Sequence, residues 1–317
     1  MNNCGTLEKI VIASICLSSF CGCNNDVFID DFKPSTSEMD LNGDGDSATI
    51  SFAHSDWDIL GTLSTTTQSP LFGNIYDKDG KMISSQQLFR CEDLCKMEYD
   101  DGLTDFTMER YAYDKLKINV GENIRSEDFE VSIYVGNQYD FKTVSINISP
   151  SSRYEYERME YSSDKMQQWN DFKETHSFTI DNQSNDTIVA QWRPYQDQYR
   201  TISFTSNDPA AFRLLGSEKV QVRLPKIEDG KLVLDGDCDL DYYPSQGKVS
   251  HTFPDVVKNI AIAPGEFLCT YILDYQCFET DFTMYARNPN TGKERAISGK
   301  FSSRLPVDYY HTMQKIL

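Results

Sequence analysis

The run from Asp40 to Asp46, Asp-Leu-Asn-Gly-Asp-Gly-Asp, has the residue types and spacing closest to a metal site. Asp40, Asn42, Asp44 and Asp46 match the opening of an oxygen-rich calcium loop, in which several carboxylates converge on a hard cation. The twelfth position of such a loop requires Glu or Asp, and Ser51 occupies it here. A polar turn before the first strand explains the same residues, so we expect no cofactor, with calcium as the alternative.

Aromatic side chains beside turn residues are the candidates for ligand binding. Sugar rings stack their apolar faces on Trp and Tyr, while neighbouring polar groups bind the hydroxyls. One aromatic group flanks Pro194, and another lies in a turn that ends at Pro244. Buried core positions of a β-protein would also account for such residues. The candidate binding residues are Trp192, Tyr195, Tyr199, Tyr242 and Tyr243.

The sequence contains no recognisable catalytic motif. It has no G-x-S-x-G, no H-E-x-x-H and no phosphate-binding glycine loop. Acidic residues number 49 of 317, so paired carboxylates carry little specificity for glycosidase chemistry. We therefore expect a protein that is not an enzyme. The histidines lie far apart in the chain, at His54, His176, His251 and His311.

The charge balance excludes one class of partner. Thirty basic and 49 acidic residues give a formal net charge of −19. Nucleic-acid backbones are bound by clusters of Lys and Arg that release counterions, and a strongly acidic chain repels them instead. We expect no nucleic-acid partner.

A short apolar segment near the N-terminus indicates export. Residues 10–20 are apolar but number only eleven, whereas a bilayer span needs about 20. They are typical of the hydrophobic region of a signal peptide. The following Ser-Ser-Phe-Cys-Gly-Cys resembles a bacterial lipobox, with Gly22 before the modified cysteine. We expect residues 1–22 to be a lipoprotein signal peptide and Cys23 to carry the lipid; Cys21, or a plain secretory signal, is the alternative.

Residues 23–46 are acidic and poor in apolar side chains, so they are expected to form a tether between the lipid and the first domain. Acidic residues soon after the modified cysteine resemble the surface-export signals of Bacteroidetes lipoproteins. The expected location is therefore the outer membrane, lipid-anchored and facing the cell surface. The membrane, reached through the lipid, is the first expected partner.

Five cysteines follow the lipidation site, and an oxidising compartment would favour disulfides among them. Cys91 and Cys95 could close a small loop as a disulfide, remain buried thiols, or, with least support, bind a metal. Cys269 shares a strand face with apolar residues and is expected in a core. An odd number leaves at least one thiol over. The five are Cys91, Cys95, Cys238, Cys269 and Cys277.

Alternation of apolar and polar residues dominates the mature chain and predicts strands with one buried face. In residues 129–135 and 144–148 every second side chain is apolar, and a short polar connection between them suits a hairpin. Together with residues 50–52 and 116–120 these strands predict an antiparallel sandwich.

The same alternation of apolar and polar residues continues after Pro150 and predicts a second sandwich. Residues 163–174 are expected to form a short helix or an ordered loop, and residues 306–317 a terminal helix with Pro306 in its first turn. The expected strands are 154–161, 178–180, 188–192, 201–204, 220–224, 232–234, 260–263, 267–273 and 282–286.

A family resemblance covers the first of these domains. The stretch Asp-Gly-Asp-Ser-Ala-Thr-Ile-Ser-Phe at 44–52, followed by Trp57, and Leu-Lys-Ile-Asn-Val-Gly-Glu-Asn-Ile-Arg at 116–125 resemble a BACON-like immunoglobulin-type domain. Residues 61–110 are longer and richer in cysteine than that pattern, and Ser149-Pro150 replaces its usual terminal Gln. The family occurs in Bacteroidetes surface proteins, often beside carbohydrate-active modules.

These observations predict an all-β chain of two immunoglobulin-like antiparallel β-sandwich domains. The expected function is that of a non-catalytic surface lipoprotein that binds a glycan or a surface protein complex. The alternative is a structural or assembly component that docks on an outer-membrane transporter or a fimbrial complex. The expected segments are a signal peptide (1–22), an acidic tether (23–46), a BACON-like β-sandwich (47–149) and a second β-sandwich (150–317).

Overall fold

The computed structural model describes residues 32–170, 172–216, 219–240 and 247–316, with the backbone alone for 235–240. The chain divides into two compact units between Ser152 and Arg153. The prediction of an all-β chain is confirmed, because the helical content of the described residues is a single 3₁₀ turn, Ser163–Lys165. Among the residues that the structure describes, no helix has the length and apolar character needed to cross a membrane.

The first unit is built from strands that alternate between buried and exposed side chains, as the sequence pattern predicts. Its described strands are β1 (Glu38–Leu41), β2 (Asp46–Ser51), β3 (Asp58–Ser64), β4 (Ser69–Pro70), β5 (Phe72–Asp77), β6 (Met82–Leu88), β7 (Cys95–Asp100), β8 (Thr104–Ala112), β9 (Lys115–Asn123), β10 (Phe129–Gly136) and β11 (Phe141–Ile148).

These strands form two sheets around one core. One sheet has the order β1-β11-β10-β3-β4, and the other β2-β9-β8-β7-β5-β6. All pairs are antiparallel except β1 with β11. The alternating apolar side chains of the two sheets, Ile133 of β10 and Ile118 of β9 among them, are buried in a shared cluster. The expected hairpin of residues 129–135 and 144–148 is β10 paired with β11.

Trp57 occupies the core next to a buried cation. Its ring stacks on Phe52 at 3.8 Å between centroids, and the guanidinium carbon of Arg110 lies 4.4 Å from its ring centroid. Arg110 is buried and its Nη1 lies 3.0 Å from a carboxylate oxygen of Asp58. A buried charge needs such a partner, and the aromatic face supplies a second favourable contact.

The expected tether extends too far into the chain. Phe32 is 1% exposed, Pro34 forms a bridge with Phe52, and β1 adds a parallel strand to β11. The part of the tether from Phe32 to Asp46 therefore belongs to the first unit. The few apolar residues of this stretch are sufficient to order it, because β1 pairs with the edge strand β11 of an existing sheet and does not have to form a separate core.

The second unit has the strands β12 (Glu155–Tyr161), β13 (Gln167–Trp169), β14 (Lys173–Asn182), β15 (Ile188–Trp192), β16 (Arg200–Thr205), β17 (Val220–Glu228), β18 (Lys231–Leu240), β19 (Gly247–Val249), β20 (Lys258–Ile262), β21 (Gly265–Arg287) and β22 (Glu294–Lys315). The largest sheet has the order β12-β21-β22-β16-β19, with β13 and β14 also paired to β21. The strands β15 with β20, and β17 with β18, form two-stranded sheets.

One long hairpin organises this unit. β21 has 23 residues and β22 has 22, and they pair antiparallel along their length. The separate strands expected at 267–273 and 282–286 are one strand, because the alternation continues through the residues between them. The terminal helix expected over 306–317 is wrong, since β22 continues to Lys315. Pro306 is tolerated because the register shifts there, where a ladder donor is not required.

The small sheet of β15 and β20 packs against one face of β14 and β21. Ile262, Phe267 and Cys269 form its buried core, and Ile180 and Ala190 pack on them. Two layers of sheet thus cover each other here. This packing brings the end of β15 over the middle of β21.

Candidate functional site

Three strands of the second unit place a row of rings on one sheet face. His176 of β14 is the register partner of Tyr271 of β21, which in turn pairs with His311 of β22. Side chains of directly paired residues lie on the same face. The His176 and Tyr271 rings stack with their centroids 4.8 Å apart.

Trp192 lies above this row. It is the last residue of β15, and its ring centroid is 5.5 Å from each of Tyr271, Tyr309 and His311. The small sheet carries Trp192 to this position because its apolar residues are anchored in the core below. Trp192 is half-buried, so part of the indole remains available to solvent.

A loop after β15 extends the cluster. The Tyr195 ring is nearly parallel to Phe253, 5.2 Å away at 9°, and meets Tyr309 edge-on at 5.5 Å. The Tyr195 hydroxyl donates a hydrogen bond to the backbone oxygen of Val307 at 3.1 Å. Burial, together with nearby Asp308, raises the pKa of Tyr195, so the phenol stays a neutral donor. We call Trp192, Tyr195, Phe253, Tyr271 and Tyr309 the aromatic cluster.

A cleft of about 500 Å³ opens beside Tyr195, between the loop after β15 and the loop before β20. Its wall combines aromatic surface with amide, imidazole and charged groups. Arg193 and Asp255 form an ion pair of 2.8 Å between its two sides. The lining residues are Arg193, Tyr195, Gln196, Gln198, His251, Phe253, Pro254, Asp255 and Val256.

The carboxylate of Glu174 contacts the row of rings through His176. Glu174 Oε1 lies 2.8 Å from His176 Nε2, and Glu174 Oε2 accepts a hydrogen bond of 2.5 Å from the Tyr275 hydroxyl. Burial and the bond to Glu174 raise the pKa of Tyr275. This arrangement orients His176 against Tyr271. Within the described residues no group of three or more His, Cys, Asp and Glu side chains is placed to hold a metal.

The structure brings some of the predicted binding residues together. Trp192 and Tyr195 both contact Tyr309. Tyr199 makes no described ring contact with them; its ring instead lies under the Lys248 ammonium, 3.8 Å from the centroid. Tyr242 and Tyr243 lie outside the described residues.

Sequence reasoning missed Phe253, Tyr271 and the three histidines near the cluster. Tyr271 alternates with core residues along its strand, so its pattern indicated a buried face and no site. His176 and His311 lie far apart in the sequence and reach Tyr271 and Trp192 only because β14, β15, β21 and β22 come together. His251 contacts Phe253 of its own loop.

The side chains in the acidic run from Asp40 to Asp46 accept hydrogen bonds from protein groups around the turn. Asp44 accepts hydrogen bonds from the Ser152 backbone at 2.8 Å and its hydroxyl at 2.6 Å. Asp46 accepts from the backbone nitrogens of Asn42 and Ser47. A Cβ on Gly43 would lie 2.1 Å from the Ser149 backbone oxygen. The close approach of another chain segment therefore accounts for this glycine.

The other two side chains of that motif also accept hydrogen bonds: Asn42 Oδ1 from the Asp44 backbone nitrogen at 2.8 Å, and Asp40 Oδ1 from Asn147 on the neighbouring strand at 3.2 Å. The four residues thus point to different protein partners. Their arrangement is that of a polar turn, the alternative considered for the sequence.

The cysteines separate into two kinds. Cys91 and Cys95 form a disulfide, which selects one of the three possibilities for this pair. Cys269 and Cys277 are buried in β21, and burial raises the pKa of the Cys269 thiol. Cys269 is a core residue, as expected. The Cys23 prediction and the side chain of Cys238 lie outside what the structure describes.

No protein-family model matches the chain, and no curated protein matches it in sequence. Three solved structures that are similar to it have TM-scores below 0.5, which do not assign it to a family. An NMR structure of a protein from Bacteroides thetaiotaomicron has 13% identity and a TM-score of 0.26, covering 41% of this chain and 97% of that one. A lamprey immune protein has 8% identity and a TM-score of 0.31, covering 86% and 99%. A complex of Dpr11 IG1 with DIP-gamma has 10% identity and a TM-score of 0.22, covering 72% and 94%.

Proposed function

We propose that this chain is a non-catalytic surface lipoprotein that binds glycans at the aromatic cluster and its cleft. The observation that carries the proposal is the half-buried Trp192 and Tyr195 beside a cleft whose wall combines apolar surface with polar and charged groups. Isolated core aromatics would be fully covered and would have no such opening next to them.

The physical basis is the mixed character of a sugar ring. Its C–H face packs on an indole or phenol ring, while its hydroxyls require donors and acceptors. Arg193, Gln198 and His251 supply these groups around the cleft. The cleft volume lies within the range of about 300–1,000 Å³ typical of small-ligand sites.

Replacing the central indole tests the site. The purified full chain is incubated with a glycan panel, with and without calcium. Trp192→Ala should weaken any glycan binding by about tenfold or more, because roughly 1.4 kcal/mol of stacking corresponds to a factor of ten. Trp169→Ala is the matched control, since Trp169 is 38% exposed on β13 and outside the cluster.

If Trp192→Ala and Trp169→Ala reduce glycan binding equally, the aromatic cluster is not the binding site. A chain that binds no glycan in either calcium condition would contradict the glycan proposal. Co-purification of such a chain with an outer-membrane transporter or a fimbrial subunit would instead support an assembly role.

The surface location is part of the same proposal and rests on the lipobox ending at Cys23. Cys23→Ser should abolish acyl labelling and release the protein from the membrane fraction, because the thiol that receives the lipid is lost. Cys21→Ser is the control and should retain labelling. Labelling that persists in Cys23→Ser and disappears in Cys21→Ser would move the anchor to Cys21.

A further inference from the structure

A lysine lies beside the central indole of the aromatic cluster. Lys258 begins β20 and is the register partner of Trp192 on β15, so the two side chains lie on the same face of their small sheet. Both reach Tyr309, whose ring centroid is 5.5 Å from the Trp192 centroid and 5.4 Å from Lys258 Nζ. A positive charge is therefore fixed next to the surface on which a sugar ring would stack.

The Lys258 ammonium forms no ion pair with a carboxylate of the described residues. Other lysines of the second unit do have such partners, as in Lys173 with Asp274 at 3.2 Å and Lys300 with Glu279 at 2.9 Å. The aromatic ring next to Lys258 attracts the charge from one side only, and an ammonium has three N–H donors. Because Lys258 is exposed, the remaining donors are accessible to an anion.

A second cation lines the cleft that opens beside the cluster. Arg193 follows Trp192 directly, and its Nη1 lies 2.8 Å from Asp255 Oδ1. The two side chains are 48% and 81% exposed, and an ion pair so open to water contributes little to stability. A ligand carboxylate or sulfate can replace Asp255 here, because a guanidinium binds oxyanions through paired N–H donors.

Two further carboxylates near the cluster have partners other than these cations. Glu174 contacts His176 and the Tyr275 hydroxyl. Asp308 accepts a hydrogen bond of 2.8 Å from the backbone nitrogen of Tyr309. Neither carboxylate forms an ion pair with the two cations within the described residues.

We propose that the glycan bound at the aromatic cluster is acidic, with a carboxylate or sulfate that Lys258 and Arg193 bind while a sugar ring stacks on Trp192. The inference rests on the proposed glycan-binding function and names the chemical class of its ligand. The chain as a whole carries −19 and repels anions at long range, so an acidic ligand requires cations at the site itself. A neutral glycan would make no use of the Lys258 charge.

The test compares matched acidic and neutral oligosaccharides on the purified full chain by isothermal titration calorimetry. The probes are a uronic-acid oligosaccharide with its carboxyl-reduced form, and a sulfated oligosaccharide with its desulfated form. The acidic member of at least one pair should bind about tenfold more tightly, because hydrogen bonds between charged groups are stronger than those between neutral ones. The pair that shows the difference identifies the anionic group as carboxylate or sulfate.

Two substitutions assign that preference to the cations. Lys258→Met keeps the apolar length of the side chain and removes the ammonium, so it should weaken binding of the acidic probe about tenfold and leave the neutral probe unchanged. Lys231→Met is the matched control, because Lys231 is an exposed lysine of β18 outside the cluster and its loss changes the net charge equally. Asp255→Asn releases Arg193 and should tighten binding of the acidic probe.

Equal affinity for the acidic and neutral members of both pairs would overturn the acidic-ligand proposal and leave the glycan-binding function standing. So would an acidic preference that survives Lys258→Met, or one that Lys231→Met removes to the same extent. Thermal unfolding of each variant checks that the fold is retained. A chain that binds none of the probes and no member of the glycan panel would overturn both proposals, so the two failures are distinguishable.

Discussion

Two buried asparagines perform the same task in the two units. Asn123 ends β9, and its Nδ2 donates to the backbone oxygens of Ile148 at 2.9 Å and Glu127 at 3.2 Å. Asn182 ends β14, and its Nδ2 donates to the backbone oxygens of Ile262 and of Asp186, which lies four residues further along the chain. In each case one amide joins a strand end to the following loop and to a second strand. A short side chain with both donor and acceptor groups can satisfy several buried backbone groups at once.

Asn123→Ala should lower the free energy of unfolding by about 3 kcal/mol. The substitution leaves the oxygens of Ile148 and Glu127 and the hydroxyl of Thr104 without their partner, and unsatisfied buried polar groups are costly. Urea unfolding measures the difference. Asn119→Ala is the control, since half-buried Asn119 makes one hydrogen bond, to Thr107, and should cost less than about 1 kcal/mol. Equal losses would contradict the role assigned to Asn123.

The buried tyrosines predict a loss of stability in alkali. Burial is the main cause that raises the pKa of Tyr99 and Tyr275, and Asp101 and Glu174 contribute. A raised folded-state pKa means that the unfolded chain ionises first, at a pKa of about 10. The folded chain then retains more protons, so stability is intact below pH 10 and falls above it. Each such tyrosine should contribute a slope of about 1.4 kcal/mol per pH unit.

Comparing urea unfolding at about pH 9 and about pH 11 tests this in the wild type and in a Tyr99→Phe, Tyr275→Phe double variant. The double variant should lose less stability between the two conditions. An identical loss in both proteins would assign the alkaline sensitivity to other groups.

At the scale of elements, the Cys91–Cys95 disulfide fixes the entry to β7. Cys91 also forms a backbone bridge with Ile59 of β3, a strand of the opposite sheet. The crosslink thus closes a small loop between β6 and β7 of one sheet, at the point where the chain contacts β3 of the other sheet. Loop closure reduces the conformational freedom of the unfolded chain.

Replacing both Cys91 and Cys95 by Ser should lower the free energy of unfolding by about 2 kcal/mol, as expected for so short a loop. The measurement is denaturant unfolding without reductant. Adding reductant to the wild type should reproduce the loss, whereas it should leave the double variant unchanged. A double variant as stable as the wild type would show that the crosslink adds nothing to the folded state.

At the scale of the whole molecule, each unit has its own buried core. Ile133 is completely buried in the first unit, and Phe301 is completely buried in the second, in ring contact with Phe204 and Phe278. Units with separate cores are able to unfold as separate cooperative transitions.

Thermal unfolding should therefore show two transitions that respond to different substitutions. Ile133→Ala should shift one of them and Phe301→Ala the other, each by about 2–5 kcal/mol, because both changes leave a cavity in one core. Each variant is the control for the other. Calorimetry measures both transitions, and a substitution that shifts the two together would show that the units unfold as one.

The amino-acid sequence alone determined the β class and the buried face of most strands. Burial on one face imposes a period of two on the residues of the strand itself, as in Phe129, Val131 and Ile133, so the signal is local. The sequence predicts a domain boundary near residue 150, and the structure divides the chain between Ser152 and Arg153. Part of the acidic motif at Asp40 to Asp46 is readable as a turn for the same reason, since Asn42 and Asp46 accept hydrogen bonds from backbone groups within or next to the motif.

The tertiary structure decided the rest. It made residues 265–287 one strand and converted the expected C-terminal helix into its partner, because the ladder with β21 outweighs local helix preference. It also gathered Trp192, Tyr271 and Tyr309 with His176 and His311 into one cluster. These residues lie far apart in the sequence, and only pairing across three strands and packing of a second sheet bring them into contact. No local pattern could encode that neighbourhood.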